Sequence, residues 1–272
     1  MAPILRVAST SRPLGLLAVA AIALLVGAGV LVVAWVTFAP ASPETSAPVG
    51  TSTPAPQSDD DGWAPWDRND DGQPVRWDPC TPIELVVAPE GAYPGFVEDV
   101  ETALAEVREL TGLDVRVGDE VDERPDAQRS LHQPRVYGDR WAPVLVAFAA
   151  PHENGLPLLD VDHGLAAPVA LGPPGERVYV SGQVILNAER DELIPGHGDR
   201  GTSWGAILRH ELGHLLGLGH VDDPDQLMHP HPVPGVVRWG EGDRRGLAAL
   251  GSGSCLEVPE AQPLEVELGP AR

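Results

Sequence analysis

The stretch His210–His220, HELGHLLGLGH, decides the fold of this chain because its spacing suits one helix followed by a sharp turn. On a helix, His210 and His214 lie one turn apart on the same face, so both imidazoles can reach a single metal ion. Gly217 can adopt the left-handed conformation that ends a helix, and this turn would bring His220 round as a third ligand. The spacing therefore predicts a helix that carries a three-histidine metal site.

Glu211 adds a carboxylate beside this histidine cluster. Three neutral imidazoles leave the fourth tetrahedral position of a zinc ion open, which is typical of a catalytic site rather than a structural one. Glu211 would then serve as the general base that takes a proton from zinc-bound water without being a ligand. Coincidence on an amphipathic helix is the alternative, but from residue composition the full pattern is expected in roughly one chain in ten thousand. A catalytic zinc site is therefore the preferred interpretation.

The neighbouring residues also favour a buried helix. Leu208, Leu212 and Leu215 form an apolar stripe with helical spacing, and Thr202 or Ser203 can cap the first turn.

HExxHxxGxxH is the signature of the metzincin clan of zinc peptidases, which is followed by a Met-turn. Met228, in the stretch DQLMHP, resembles the methionine of the matrixin branch, where it forms a hydrophobic floor under the metal. Arg76–Ile83 resembles the opening of bacterial matrixin-like proteins, and Gly240–Gly251 resembles the last helix of a matrixin catalytic domain. The resemblance implies an α+β domain with a twisted mixed β-sheet, an active-site helix and a C-terminal helix. It also implies an edge strand that aligns the backbone of a substrate.

The chain departs from the matrixin pattern in several places. Val221 stands where vertebrate matrixins usually have serine, and Pro232 stands where a tyrosine often lines the specificity pocket. His152 and His163 fall in the region of a second, structural zinc, but Leu165–Pro168 supplies no further histidine. We therefore expect these two histidines to be ordinary loop residues.

The N-terminal segment, residues 1–39, has the features of a membrane anchor. Leu14–Phe38 contains no charged residue and exceeds the roughly 20 residues needed to cross a bilayer. Arg6 and Arg12 precede it, which predicts a cytoplasmic N-terminus and an extracytoplasmic remainder at the cell membrane. The alternative is a signal peptide cleaved near Ala39–Ala41, which would release a secreted protein.

Composition divides the rest of the chain into three parts. Residues 40–75 are rich in Pro, Ser, Thr and Asp and predict a disordered linker. Residues 76–255 are long enough for one catalytic domain, and residues 256–272 predict a flexible tail. The expected elements of the domain are a helix over Phe96–Leu110 and strands over Ile83–Ala88, Leu113–Val117, Val144–Phe148 and Val178–Leu186, the last interrupted at Ser181–Gly182.

Cys80 and Cys255 are the only cysteines and lie near the two ends of the predicted domain. In an oxidising compartment they are expected to form a disulfide bond. The alternative is that Cys80 binds the zinc as a latency switch, but no room for a folded prodomain precedes it.

The net charge of −22 arises from 40 acidic residues against 18 basic ones, all of them arginine. This balance excludes a nucleic-acid-binding function, which requires a basic surface. The stretch Asp67–Gly72 matches the start of a calcium loop, although a polar turn is the preferred interpretation because Pro74 interrupts it.

The sequence therefore predicts a membrane-anchored, monomeric zinc endopeptidase that acts on protein or peptide substrates. Two alternatives stay open. One is a zinc-binding surface module without hydrolytic activity, and the other is a zinc amidase that acts on cell-wall peptides.

Overall fold

Six strands and four α-helices occur in the part of the chain that the structure, a computed structural model, describes: residues 61–198 and 201–263. In chain order the elements are β1 (Arg76–Trp77), β2 (Ile83–Ala88), α1 (Phe96–Thr111), β3 (Val115–Glu120), α2 (Pro134–Tyr137), β4 (Val144–Ala149), β5 (Gly164–Leu171), β6 (Val178–Asn187), α3 (Trp204–Leu216) and α4 (Glu241–Gly251). The predicted membrane segment Leu14–Phe38 lies outside the described residues. Within them, no helix combines the length and apolar character that crossing a bilayer requires.

Six strands form one mixed sheet in the order β1-β6-β4-β2-β3, and β5 pairs with β6. The pairs along this path are parallel, whereas β5 runs antiparallel to β6. Among the described strands, β5 pairs with β6 alone, so its other edge is free. This architecture fits the predicted α+β class with a mixed sheet.

Strands β2, β4 and β6 are buried on both faces. Leu85, Val146 and Leu186 pack into one core together with residues of α1, α3 and α4. The alternate positions, such as Leu145 and Ile185, face smaller clusters on the opposite side. Two covered faces explain why these strands are continuous apolar runs rather than alternating ones.

The sequence-based expectation differs from the structure at β5 and β6. No strand was predicted over Gly164–Leu171, whose Gly, Ala and Pro residues have low strand propensity. The expected interruption at Ser181–Gly182 does not divide β6, which runs over Val178–Asn187, but the pairing with β5 shifts register beside it, between Val169 and Ala170. A Cβ on Gly182 would lie 2.8 Å from the carbonyl oxygen of Ala167. This glycine therefore permits close packing within a continuous strand.

Both ends of the described chain pack on the domain. Ala64 is buried, and the Trp66 N–H donates to the Gly217 carbonyl at 2.7 Å, so residues 61–75 are not the disordered linker expected. The Leu256 N–H donates to Asp78, and the Trp141 indole donates to the Pro259 carbonyl at 2.8 Å. The expected flexible tail therefore contacts the domain as far as Pro259, and residues 264–272 lie outside the described chain.

Cys80 and Cys255 are joined by a disulfide bond across a sequence separation of 175 residues. Because the bond closes almost the whole domain, its removal increases the entropy of the unfolded chain. We expect the double substitution Cys80→Ser with Cys255→Ser to lower the free energy of unfolding by about 2–5 kcal/mol. Denaturant titration measures this change, and unaltered stability of the double variant would contradict it. Wild-type protein in reductant provides the control, since it should show the same loss.

Candidate active site

Helix α3 and the turn after it position the three histidines. Ser203, one of the two expected caps, accepts a hydrogen bond from the Ala206 N–H at the start of the helix. Gly217 ends the helix with φ at 107°, in the left-handed region that favours glycine. The chain then reverses and returns His220 to the face that carries His210 and His214.

The three imidazoles converge. The Nε2 atom of His220 lies 3.2 Å from Nε2 of His210 and 3.1 Å from Nε2 of His214. Among the described residues, the other cluster with metal-binding atoms includes Cys80 and Cys255, whose sulfurs are joined in the disulfide bond. The histidine cluster is therefore the candidate metal site.

Backbone carbonyls fix the tautomers of two of these rings. His210 Nδ1 donates to the Leu227 carbonyl at 2.7 Å, and His214 Nδ1 donates to the Leu218 carbonyl at 2.8 Å. Since each Nδ1 carries the proton, each Nε2 presents a lone pair toward the centre of the cluster. The sequence alone gave no indication of these two carbonyl partners.

Burial keeps the imidazoles uncharged. It lowers the pKa of His210 to about 4 and that of His220 to about 3, and it holds the pKa of His214 well below its usual range. Lone pairs this close repel one another unless a cation lies between them. At a Zn–N distance of about 2.0–2.1 Å, tetrahedral ligand nitrogens are roughly 3.3 Å apart. The spacing and the donor type therefore fit zinc.

Glu211 lies beside the cluster and is 6% exposed. It contacts the first residue of β5, because a Cβ built on Gly164 would be 2.8 Å from the Glu211 Oε1 atom. The Ala166 N–H donates a hydrogen bond to its carboxylate. Burial raises the pKa of Glu211 to about 8, and the Asp162 carboxylate acts in the same direction. The edge strand thus holds the carboxylate next to the three histidines.

The contact between Gly164 and Glu211 leads to a prediction. In Gly164→Ala the new methyl group should displace the Glu211 side chain and lower peptide-cleavage kcat by about 10- to 100-fold, because misplacing a catalytic group by about 1 Å can cost about 100-fold. Zinc content should stay at the wild-type level, because the three atoms nearest to the new methyl group all belong to Glu211. Gly118→Ala in β3 is the control, since its Cβ would come no closer than 3.4 Å to its neighbours. Equal turnover in the two variants would contradict the prediction.

Met228 is buried directly under α3. A Cβ on Gly213 would lie only 2.5 Å from the Met228 sulfur, so this glycine is the point where the helix and the Met-turn meet. Asp243 of α4 holds the same turn, because its carboxylate accepts the Leu227 N–H at 2.7 Å. Leu227 also supplies the carbonyl that binds His210. The Met-turn and the first histidine are thus linked through the main chain.

A cleft of about 300 Å³ opens over the histidines. Gly164–Ala166 of β5 form one side and Pro230–Pro232 form the other, while Trp66 and Val161 also line it. A larger cavity, of about 800 Å³, lies away from the histidines beside Arg177 and Cys255. The converging imidazoles, rather than the size of the cavity, therefore identify the candidate active cleft.

The sequence model of the matrixin family, a family of M10 peptidases, matches residues 132–250. Matrix metalloproteinase-25 of Mus musculus is 33% identical over 126 residues, which cover 44% of this chain and 20% of that protein. The Homo sapiens protein of the same name is 32% identical over 126 residues, covering 44% of this chain and 22% of its own length. The chain spans about a fifth of the length of these curated relatives.

Residues 132–250 form a matrixin-like metzincin region. The family and the names of both relatives support a metalloendopeptidase hydrolase. They support the family expected from the sequence, and the matched residues include the helix, the three histidines and the Met-turn.

The structure does not support the calcium loop that the sequence suggested around Asp67–Gly72. The carboxylate of Asp67 binds the guanidinium of Arg177 at 2.5 and 3.1 Å, and Asn69 bonds the backbone of the same arginine. Asp78 accepts the Thr81 hydroxyl at 2.6 Å. These oxygens bind protein donors rather than converging on one point, so calcium binding is not supported.

His152 and His163 remain loop residues of the matrixin-like domain. Each has a carboxylate at the edge of ion-pairing distance, Asp160 at 3.8 Å and Glu192 at 4.0 Å. Neither belongs to a potential metal cluster among the described residues.

Four residues of the matrixin-like site escaped the sequence analysis: Trp66, Gly164, Gly213 and Asp243. Gly213 is inside the zinc motif, and a glycine within a helix could have signalled a close contact. The other three lie far from the motif in sequence. Only the fold brings them to the site.

Proposed function

We propose that this protein is a zinc-dependent endopeptidase that hydrolyses peptide bonds with Glu211 as the general base. One arrangement carries the proposal: three uncharged imidazoles converge on one point, and the buried carboxylate of Glu211 lies beside them, against the first residue of the edge strand β5. His210, His214 and His220 would hold the zinc. When bound, zinc polarises a carbonyl group and lowers the pKa of water toward about 7.

The residues of the chain supply the remaining chemistry. Glu211 accepts a proton from the attacking water at its carboxylate and passes it to the leaving nitrogen of the cleaved peptide bond. Its burial favours the protonated form after the first transfer, which suits the return of the proton. Met228 forms the floor of the site, since it packs against Gly213. Gly213 lies between the proposed ligands His210 and His214 in the sequence.

The edge strand β5 is suited to align a peptide substrate. Its outer main-chain groups have no strand partner among the described residues, and it forms one side of the cleft. An extended peptide can pair with such an edge and place a carbonyl group beside the histidines. Pro230–Pro232 then face the substrate from the other side. Main-chain pairing explains how a peptide backbone can be held without sequence-specific contacts.

The proposal includes an extracytoplasmic location. The apolar run Leu14–Phe38 would anchor the protein in the membrane, with secretion after cleavage as the alternative. The disulfide bond between Cys80 and Cys255 supports an oxidising compartment. We propose that the anchored protein acts as a monomer.

Incubation of the full-length protein in mild detergent with a mixed peptide library tests this function. We expect cleavage of ordinary peptides that stops when a zinc chelator is added and returns when zinc is restored. Cleavage confined to cell-wall peptide material would favour the amidase alternative. Bound zinc without any cleavage would favour the non-catalytic module and would overturn the proposal.

A further inference from the structure

The segment Gly62–Trp66 lies ahead of the matched region and packs on the turn that carries His220. The Trp66 N–H donates to the Gly217 carbonyl, and the Gly219 N–H donates to the Ala64 carbonyl, both at 2.7 Å. Together they form a short antiparallel bridge between Pro65 and Leu218. The main chain of the segment thus braces the turn that delivers the third histidine.

Glycines provide the space for this segment. A Cβ on Gly219 would lie 2.9 Å from the Pro65 carbonyl oxygen, and one on Gly242 would lie 2.1 Å from the Gly62 carbonyl oxygen. Gly246, one turn further along α4, would place its Cβ 2.8 Å from the Trp63 ring. Two glycines on one face of α4 and a third on the turn therefore form a groove that the segment fills closely.

Trp66 ends the segment and packs on a histidine of the metal cluster. The ring centroids of Trp66 and His214 are 4.6 Å apart, with an angle of 58° between the planes. His214 is only 4% exposed, whereas His210 and His220 are partly exposed. Trp66 is itself half-buried and lines the cleft. Its indole therefore packs on the His214 ring at the wall of the cleft.

We propose that Gly62–Trp66 is a clamp on the zinc site and that Trp66 is a positioning residue for His214. Zinc leaves when a ligand ring rotates away or when the turn carrying His220 opens. The indole restrains the rotation, and the main-chain bonds to residues 217–219 restrain the opening. This inference rests on the proposed function in one respect, namely that zinc is the metal held by the three histidines.

The experiment measures the rate at which zinc passes from the full-length protein in detergent to a colorimetric chelator. Removing a group that contacts and orients a metal ligand typically lowers metal affinity 10- to 100-fold. We expect zinc release to be about tenfold faster in Trp66→Ala than in the wild type. Trp66→Phe, which retains an aromatic ring over His214, should restore a rate close to that of the wild type.

Trp141→Ala is the matched control, because Trp141 is also half-buried and its indole bonds a carbonyl, that of Pro259. It should release zinc at the wild-type rate. Thermal unfolding of the zinc-free variants separates general destabilisation from a local effect, since both alanine variants should lose comparable stability. If Trp66→Ala does not fold, Trp66→Leu replaces it, since leucine preserves apolar packing without the ring.

Zinc release from Trp66→Ala, or from Trp66→Leu if it replaces Trp66→Ala, at the wild-type rate would overturn the clamp, as would equal acceleration in Trp141→Ala. A wild-type protein that binds no zinc would instead overturn the proposed function. The two failures are distinguishable because zinc content of the wild type is measured first. Peptide cleavage is not needed for the comparison.

Discussion

A Glu211→Gln protein is expected to keep its zinc and its fold while its peptide cleavage falls by about a thousandfold. The amide has nearly the same volume as the carboxylate and can still accept the Ala166 N–H. It cannot take a proton from water, so the general-base step is lost while the substrate still binds. The measurement is kcat on a peptide substrate, with zinc content and thermal unfolding determined on the same sample.

Glu192→Gln provides the control for this substitution. Glu192 is an exposed glutamate that lies 4.0 Å from His163, near the cleft but away from the histidine cluster. Its variant should cleave peptides at the wild-type rate. Full activity of Glu211→Gln would show that Glu211 is not the general base. Glu211→Ala should also lower kcat.

His214→Ala is expected to abolish stable zinc binding and with it peptide cleavage. Only two imidazoles would remain, and the cavity left beside Trp66 would admit water to the ligand side of the cleft. We expect zinc affinity to fall roughly a hundredfold or more, since even indirect supporting groups contribute up to that much. Metal analysis after dialysis against a weak chelator measures the loss directly.

The control for zinc stoichiometry is His152→Ala. The His152 side chain is 64% exposed and lies outside the histidine cluster. This variant should retain the wild-type zinc content and activity. One zinc per chain in His214→Ala would show that the ligand assignment is wrong, whereas zinc loss in His152→Ala would show a second metal site.

The sequence predicted the parts of the site whose geometry is local. His210 and His214 are placed together by one helical turn, and Gly217 reverses the chain through its own conformational freedom. The apolar spacing of α1 also predicted its position well, Phe96–Leu110 against the observed Phe96–Thr111. Short-range geometry of this kind depends on few residues, so a pattern is sufficient to identify it.

Strand β5 shows where such patterns fail. Its residues, GLAAPVAL, have low strand propensity, and the strand exists because it pairs along most of its length with β6. The predicted end of the linker at residue 75 was wrong for a related reason. Average composition between residues 40 and 75 suggested disorder, whereas Trp63 and Trp66 supply large apolar surfaces that pack on the domain.

The sequence by itself determined the spacing of the three histidines proposed as ligands and of the adjacent glutamate proposed as base, and it indicated the family, because these features are encoded within one helix and its turn. Only the tertiary structure decided which residues surround them. Gly164 and Ala166 reach Glu211 through sheet pairing, Asp243 reaches the Met-turn from a later helix, and Trp66 reaches His214 through a bridge to the turn. These contacts join residues far apart in the chain, and their positions depend on how the whole domain packs rather than on any local periodicity.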